Sequence, residues 1–456
     1  MVMAMNDKTT SQSKEIRKVV SGSFAGALLE WYDFFIYGMA SGLLFGQLFF
    51  PDADPMIGML GAFASFAVGF WARPIGGIVF GHFGDRFGRK ATLLWTIMIV
   101  GISTVLIGCL PTYAQVGIWA PILLTVLRLI QGFGLGGEYA GAALMAIESA
   151  PKSRRGFIGS LPQAAASAGL VLATAVFALC NATLSNEQFI TWGWRIPFLL
   201  SALLLLVGLY IRFNVKETSD FVRAAQPAPT TPCGDSSHRF PLITLLRTQK
   251  RNLLLAMGAR LIETVMFNIV YAFAIVYMTQ SLNMDRQLPL MALLCAAAIG
   301  IITCPVAGWL SDRYGQKSIY LFGAAFCVLF AFPFYFLLGT QNTTLVFIAM
   351  ILGYNLGPTL IFAVQATMFS QIFDVRVRYT GLSVAYQVSA IAGGMTPVTA
   401  ILLLMANDGQ PWYVAIATAI IGIISFACVR LIHQGEPVNH KTTAPLALPL
   451  HVLQAK

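Results

Sequence analysis

The sequence predicts an all-α integral membrane protein with twelve transmembrane helices in two pseudo-symmetric six-helix bundles. Three observations lead there. Of the 456 residues, 57% are hydrophobic and only 11% charged, against about 25% charged in soluble proteins. Apolar runs recur from end to end, many of them at or beyond the roughly 20 residues a helix needs to cross a bilayer. Two sequence echoes at nearly one offset then divide the chain into two copies of one unit. The alternating ten-residue segments of a β-barrel are not visible.

The elements follow in order. Residues 1–18 are a polar tail, and the apolar run behind them is far longer than a signal-peptide core, so it reads as a retained first span. Spans are expected near 19–48, 57–80, 91–111, 117–147, 157–182 and 195–215, making an N-terminal bundle over 19–216. Residues 217–251, with the run QPAPTTPCGDSSHR, are a Pro-, Thr- and Ser-containing linker. The second bundle, 252–432, holds spans near 253–281, 287–310, 318–339, 344–371, 380–405 and 412–432. A polar tail, 433–456, closes the chain.

Charge placement orients these spans. With the N-terminus inside, 24 of the 29 Lys and Arg residues fall at cytoplasmic ends, from Lys8 and Arg17 through the linker to Lys441 and Lys456. The positive-inside rule therefore puts both termini in the cytoplasm. The net charge of +10 is accounted for by this topology and gives no reason to invoke nucleic acid. The seven cysteines show no CxxC pairing and mostly lie in apolar segments, so no metal or disulfide is expected.

The first span is unusual, because Gly22–Gly38 (GSFAGALLEWYDFFIYG) carries two acids, Glu30 and Asp33, in an apolar helix. At about 100° per residue Glu30, Asp33 and Tyr37 share one face, with Gly22 and Gly26 close to it. Trp31 and Phe35 fall on the opposite side, as lipid-facing residues would. The internal echoes are equally specific. Gly81-His-Phe-Gly-Asp85-Arg86-Phe-Gly88-Arg89-Lys90 returns 227 residues later as Gly308-Trp-Leu-Ser-Asp312-Arg313-Tyr-Gly315-Gln-Lys317. Pro151-Lys-Ser-Arg154-Arg155-Gly156 is echoed by Arg376-Val-Arg378-Tyr-Thr-Gly381.

On these loops the chain resembles the major facilitator superfamily, whose signature G-x-x-x-D-R-x-G-R-K follows spans two and eight. Leu124-x-x-x-Arg128-x-x-Gln131-Gly132-x-Gly134 resembles a second signature of that superfamily. Glu30-Trp-Tyr-Asp33-Phe-Phe, Gly193-Trp-Arg195-Ile-Pro-Phe and Val377-Arg378-Tyr-Thr-Gly381 are similar to the metabolite:proton symporter family within it. That family carries shikimate, α-ketoglutarate, citrate and proline/betaine. The Ser-Phe-Ala-Gly opening and the Arg260-x-x-Glu263 pair most resemble its shikimate-type branch. The resemblance covers essentially every span and implies two bundles rocking about a central site, the architecture a duplication of six-span units leads to on its own.

Six ionisable residues are counted within the spans: Glu30, Asp33, Arg128, Glu138, Arg260 and Glu263. Left unpaired at about 3 kcal/mol each they would cost roughly 15–20 kcal/mol, comparable to a whole protein's stability. They must pair, neutralise or line water. Four acids against two bases leave two acids in excess, and a buried acid without a partner is most stable with a proton bound. Asp33, Glu30, Glu138 and Glu263 are therefore the proton-coupling candidates. A resemblance to sugar–proton symporters pairs Asp33 with Arg128, so that protonation of Asp33 frees the arginine fork for a substrate carboxylate. Against this stands a static structural ion pair; Arg260 and Glu263, one turn apart, can likewise simply neutralise each other. Glu30 is either a second titrating group or a vestibule acid. Glu138, among Gly132, Gly134, Gly136, Gly137 and Gly141, is either a carrier or a structural hydrogen-bonding residue.

For substrate contact the candidates are Arg128, Arg260, Tyr37, Gln131, Gln163, Asn268, Tyr271, Tyr386 and Gln387; each polar one could instead be an interhelical hydrogen bond. The gate is expected at Gly81, Asp85, Arg86, Gly88, Arg89, Glu148, Arg155, Gly308, Asp312, Arg313 and Arg378. Asp85 and Asp312 can face helix N-termini there, and the resemblance implies a clamp that closes the cytoplasmic side. Span five lacks the Gly-Pro-x-x-Gly-Gly run typical of drug antiporters in the superfamily. No phosphate-binding loop is present, so ATP is not expected to drive transport. The expected function is proton-coupled import of a small organic acid, a shikimate-like monocarboxylate or a dicarboxylate, across a bacterial inner membrane. The protein is expected to act as a monomer with no metal or cofactor, its partners being substrate, protons and lipid. Uptake of a zwitterionic osmolyte of the proline/betaine type is the alternative within the class. A non-transporting receptor is the alternative outside it, whereas an enzyme would need a nucleophile, metal cluster or cofactor motif that the sequence lacks.

Overall fold

The computed structural model describes residues 2–51, 54–87, 89–137, 143–144, 146–148, 150–214, 241–374 and 377–433. Twelve long helices follow one another among these residues, each on one expected span. In the first half they are α1 (Val2–Ala40), α2 (Pro55–Phe87), α3 (Arg89–Gly108), α4 (Trp119–Leu135), α5 (Arg155–Thr183) and α6 (Arg195–Asn214). In the second half they are α7 (Lys250–Ser281), α8 (Gln287–Tyr314), α9 (Gln316–Gly339), α10 (Thr343–Ile372), α11 (Arg378–Met405) and α12 (Trp412–Leu431). By length and composition alone, eight described helices could cross a bilayer, or nine if the bent pair Asn186–Gly193 and Arg195–Tyr210 is one span. The described apolar parts of α3 and α4, Leu94–Gly108 and Trp119–Leu135, are shorter, and α1 joins a polar first half to an apolar second.

Packing repeats between the halves. In the first, α1 lies on α5, α2 on α4 and α3 on α6; in the second, α7 lies on α11, α8 on α10 and α9 on α12. The two most extensive helix contacts between the bundles are α2 with α11 and α5 with α8, and the same pseudo-symmetry exchanges them. Within the first bundle α2 and α4 touch backbone to backbone: a Cβ on Gly132 would collide with the Gly69 carbonyl, and one on Gly76 with that of Phe133. That close approach is what the glycines of span four suit. Pro162 interrupts α5, whose regular helix stops at Ser160 and resumes at Ala164, because proline brings no N–H.

Two expectations change. The first helix begins at Val2, ahead of the apolar run, so the polar stretch continues the span as helix. Within the expected linker, Pro241–Thr248 forms a helix whose Leu245 is fully buried and which packs on α7 and α11; its apolar residues recur at helical spacing. Residues 217–240 lie outside the described residues.

Candidate functional site

The first bundle holds a buried polar chain built from four of its helices. Asp33, on α1, accepts a hydrogen bond from the Ser201 hydroxyl of α6 at 2.6 Å, and the Thr104 hydroxyl of α3 lies against the same carboxyl. The Thr104 hydroxyl donates within its own helix, to the Val100 carbonyl at 2.9 Å, and accepts from Gln131 Nε2 at 2.8 Å. The other end of that amide, Gln131 Oε1, accepts from Arg128 Nη1. Arg128 is 1% exposed, spreads its guanidinium over the rings of Tyr37 and Phe66 at 4.3 and 4.7 Å, and reaches the Phe66 carbonyl through Nε at 3.5 Å. Tyr37 itself shares a 2.7 Å hydrogen bond with Ser65.

This corrects the expected ion pair. Asp33 and Arg128 do not touch; Thr104 and Gln131 stand between them. Asp33 meets Ser201 of α6 within its own bundle, while Tyr37, one turn on along the same face, takes the place beside Arg128. Trp31 and Phe35 are also corrected, because neither faces lipid. Phe35 is fully buried on Tyr271 and Phe267, and Trp31 packs on Phe267 and Phe362 of the other bundle. As a helix wedged between bundles, α1 has both faces covered.

In the second bundle Arg260 Nη1 donates to the Tyr386 carbonyl at 2.7 Å and the Ser389 hydroxyl at 2.9 Å, with its guanidinium 3.6 Å from the Tyr386 ring centroid. Arg260 Nε lies 3.4 Å from Glu263, so the neutralising i,i+3 pair does form. Glu263 and Gln163 border a small cavity with Trp31, Ser167, Phe267 and Tyr354, of about 10 Å3. Tyr271 places its buried hydroxyl where Gly38 leaves room, with no hydrogen-bond partner among the described residues. Asn268 donates to the Thr264 carbonyl at 2.7 Å, an intrahelical bond. Gln387 crosses the bundles instead, donating to the Gly136 carbonyl at 3.0 Å. Glu138 lies outside the described residues.

Three participants escape the sequence reading. Thr104 and Ser201 carry no signal, since a hydroxyl in a membrane helix commonly bonds its own backbone. Arg73 does carry one. It is among the five basic residues that the cytoplasmic count leaves over, and it sits inside the second apolar run, so the buried bases number three, not two. It is 8% exposed, and its guanidinium lies 4.4 Å from the Phe70 ring centroid and 5.3 Å from that of Phe34. Tyr386, Glu30, Arg260 and Tyr271 are its electrostatic neighbours. Glu30 is thereby an electrostatic neighbour of Arg73 and Tyr386 as well as of Asp33.

At the end bearing the repeated loops, the bundles clamp. Asp312 accepts the backbone N–H groups of Gly156 and Phe157 at 2.7 and 2.9 Å, capping the first turn of α5 from the opposite bundle. Gly156 and Gly308 allow it: a Cβ on Gly156 would strike Ser311, and one on Gly308 would strike Ser160. Glu148 and Arg378 meet at 4.0 Å, again from different bundles. Gly315, with φ 87°, turns the chain from α8 into α9. Arg313 is exposed beside Tyr314, and Arg155 Nε has no partner among the described residues, so neither joins the clamp here. Gly81, Asp85, Arg86 and Arg89 lie on α2 and α3 with their side chains outside what the structure describes, and Gly88 is outside the described residues. At the opposite end, the helical segments Ser41–Phe45 and Gly46–Phe49 that continue α1, together with α2 and Gln280, border a cavity of about 200 Å3 that includes Ser41, Gln47 and Met59.

Comparison with known proteins adds the following. Residues 23–397 match the Major Facilitator Superfamily. The chain is 40% identical over 417 residues to a shikimate transporter of Escherichia coli strain K12, covering 91% of this chain and 94% of that protein. It is 32% identical over 435 residues to a proline/betaine transporter of Salmonella typhimurium strain LT2, covering 93% and 85%. A crystal structure of a D-xylose–proton symporter superposes with a TM-score of 0.70 at 18% identity, covering 92% of this chain and 98% of that one.

Proposed function

The chain belongs to the Major Facilitator Superfamily, and within it we propose that this membrane transporter, which is not an enzyme, is a proton-coupled symporter of a small organic acid. One observation carries the reading: Asp33 is buried, touches no basic group among the described residues, and is joined to Arg128 through Thr104 and Gln131. A carboxylate so placed is costly to keep charged and gains by taking a proton. Once protonated, it no longer draws the Ser201 hydroxyl proton and can donate its own to the Thr104 oxygen, whose proton stays on the Val100 carbonyl. That donation competes with Gln131 for the Thr104 oxygen, and the amide that holds Arg128 is released to turn. Arg128 gains free donors for a substrate carboxylate. Proton and anion thus load the same bundle, and rocking about the α2–α11 and α5–α8 contacts carries both across.

We place the protein in a bacterial inner membrane as a monomer, with the clamped end and both termini cytoplasmic, on the charge asymmetry of its loops. Glu263 remains tied to Arg260 in this scheme, and Glu30 is accessory. The test is uptake of radiolabelled shikimate into proteoliposomes under an imposed inward proton gradient. Wild type accumulates the label, more so as external pH falls. Asp33→Asn loses accumulation but retains exchange of internal for external substrate. Accumulation at the wild-type level by Asp33→Asn would sink the reading.

A second reading is a zwitterionic osmolyte. It is supported by the 32% identity over 435 residues to a proline/betaine transporter. Accumulation of glycine betaine, with none of shikimate, would favour it.

A further inference from the structure

Arg73 is a buried guanidinium whose described contacts are ring faces. Arg128 donates to Gln131 and the Phe66 carbonyl, and Arg260 donates through Nη1 to Tyr386 and Ser389, its Nε pairing with Glu263 in charge at 3.4 Å without a hydrogen bond. Arg73 rests on the Phe70 and Phe34 rings, and among the described residues no oxygen accepts a hydrogen bond from it. A ring face satisfies the cation electrostatically but takes none of the in-plane N–H groups. The position is also particular. Arg73 lies on α2, which packs on α11 of the other bundle, and its electrostatic neighbours come from α1, α7 and α11. Among them are the Glu30 carboxylate and Arg260, so two cations from opposite bundles repel each other with one acid near Arg73. An anion between them would relieve that repulsion and supply the acceptors Arg73 lacks.

We propose that Arg73, on the helix α2 that packs against α11 of the other bundle, is a carboxylate-binding residue of the transport path. It takes the anionic group of the transported molecule first, by a bidentate contact from its planar fork, before Arg128 is released. The inference rests on the reading of this protein as a transporter of a carboxylate-bearing molecule. It does not depend on which reading of the substrate holds, because an organic acid and a zwitterionic osmolyte share that group. Nor does it require the proton step. Binding of the carboxylate draws α2 and α11 together, and Arg260 needs only to turn from Tyr386 and Ser389 to share the load.

The experiment measures binding, apart from transport. Full-length protein in lipid nanodiscs is titrated with shikimate, glycine betaine and L-proline, and with the methyl ester of whichever acid binds. Wild type is expected to bind at least one of the three and to prefer the acid to its ester. Arg73→Gln is expected to raise the Kd for the acid at least tenfold, about 1.4 kcal/mol, and to erase the preference over the ester. Arg73→Lys, which keeps the charge without the fork, falls between. An unchanged Kd in Arg73→Gln overturns the proposal, and so does an equal loss for acid and ester, which would mark Arg73 as structural. Failure of wild type to bind any of the three acids overturns it as well. A protein that binds as predicted but shows no proton-driven accumulation leaves Arg73 standing and refutes the symport reading alone.

Discussion

Buried hydrogen-bond chains give single side chains their leverage here. Gln131 bridges two groups that cannot reach each other, donating to Thr104 and accepting from Arg128. Gln131→Leu keeps the volume and removes both bonds, leaving a guanidinium and a hydroxyl short of partners; a buried group so orphaned costs about 1–3 kcal/mol. We expect this variant to bind substrate but to lose most of its dependence on the proton gradient, roughly tenfold or more, with exchange retained. Equal accumulation by Gln131→Leu and wild type in the proteoliposome assay would remove the bridge from the mechanism. Ser201→Ala tests the other end. It takes one 2.6 Å donor from the Asp33 carboxylate, which disfavours the charged form, so half-maximal uptake is expected to move to higher external pH. No movement, or movement downward, would count against Asp33 as the titrating group.

Elements were legible in the sequence to the degree that they are local. The twelve spans, the two copies and the loop after α8 follow from composition and spacing, and Asp312 does cap a helix N-terminus as its place in the repeat suggests. Rotation of a buried helix about its axis is another matter. The face bearing Glu30, Asp33 and Tyr37 was readable, but which neighbour each residue meets was not, because α1 is surrounded and every direction is apolar protein. Hence Asp33 turned out to face Ser201, and Trp31 the other bundle instead of lipid. Arg73 was visible as a charge in an apolar run; its lack of a partner was not, since that depends on four helices at once. At the same scale, Gly308 and Gly156 set how closely α8 and α5 approach. Gly308→Val should hold the two helices apart and break the Asp312 cap. We expect transport to fall at least tenfold while the variant keeps its helical circular-dichroism spectrum. Near-normal transport would show that this approach is dispensable.

For the whole molecule the balance between the clamped state and its alternative is what transport exploits, and two contacts hold the clamp by different physics. The Asp312 cap is two short charge-assisted hydrogen bonds, the one to Gly156 part-buried and the one to Phe157 exposed, and a hydrogen bond to a charged group is worth about 1.5–3 kcal/mol. The Glu148–Arg378 pair is long at 4.0 Å, with Glu148 well exposed, and is worth about 0–1 kcal/mol. A two-state equilibrium moves by a factor of ten for each 1.4 kcal/mol, so the contacts predict different population shifts. Asp312→Ala should open the clamped end about tenfold or more, read as a longer distance between spin labels placed on the two bundles at that end. Charge reversal at Glu148 or Arg378 should shift the same distance distribution only severalfold, and reversal of both together should restore it. The pairing is right only if that double reversal recovers the wild-type distribution while Asp312→Ala cannot be recovered by any change at Arg378. The cap and the ion pair share no atom, so their effects should add; strong coupling between them would mean that the clamp closes as one unit through the α2–α11 and α5–α8 contacts, with neither contact setting the balance alone.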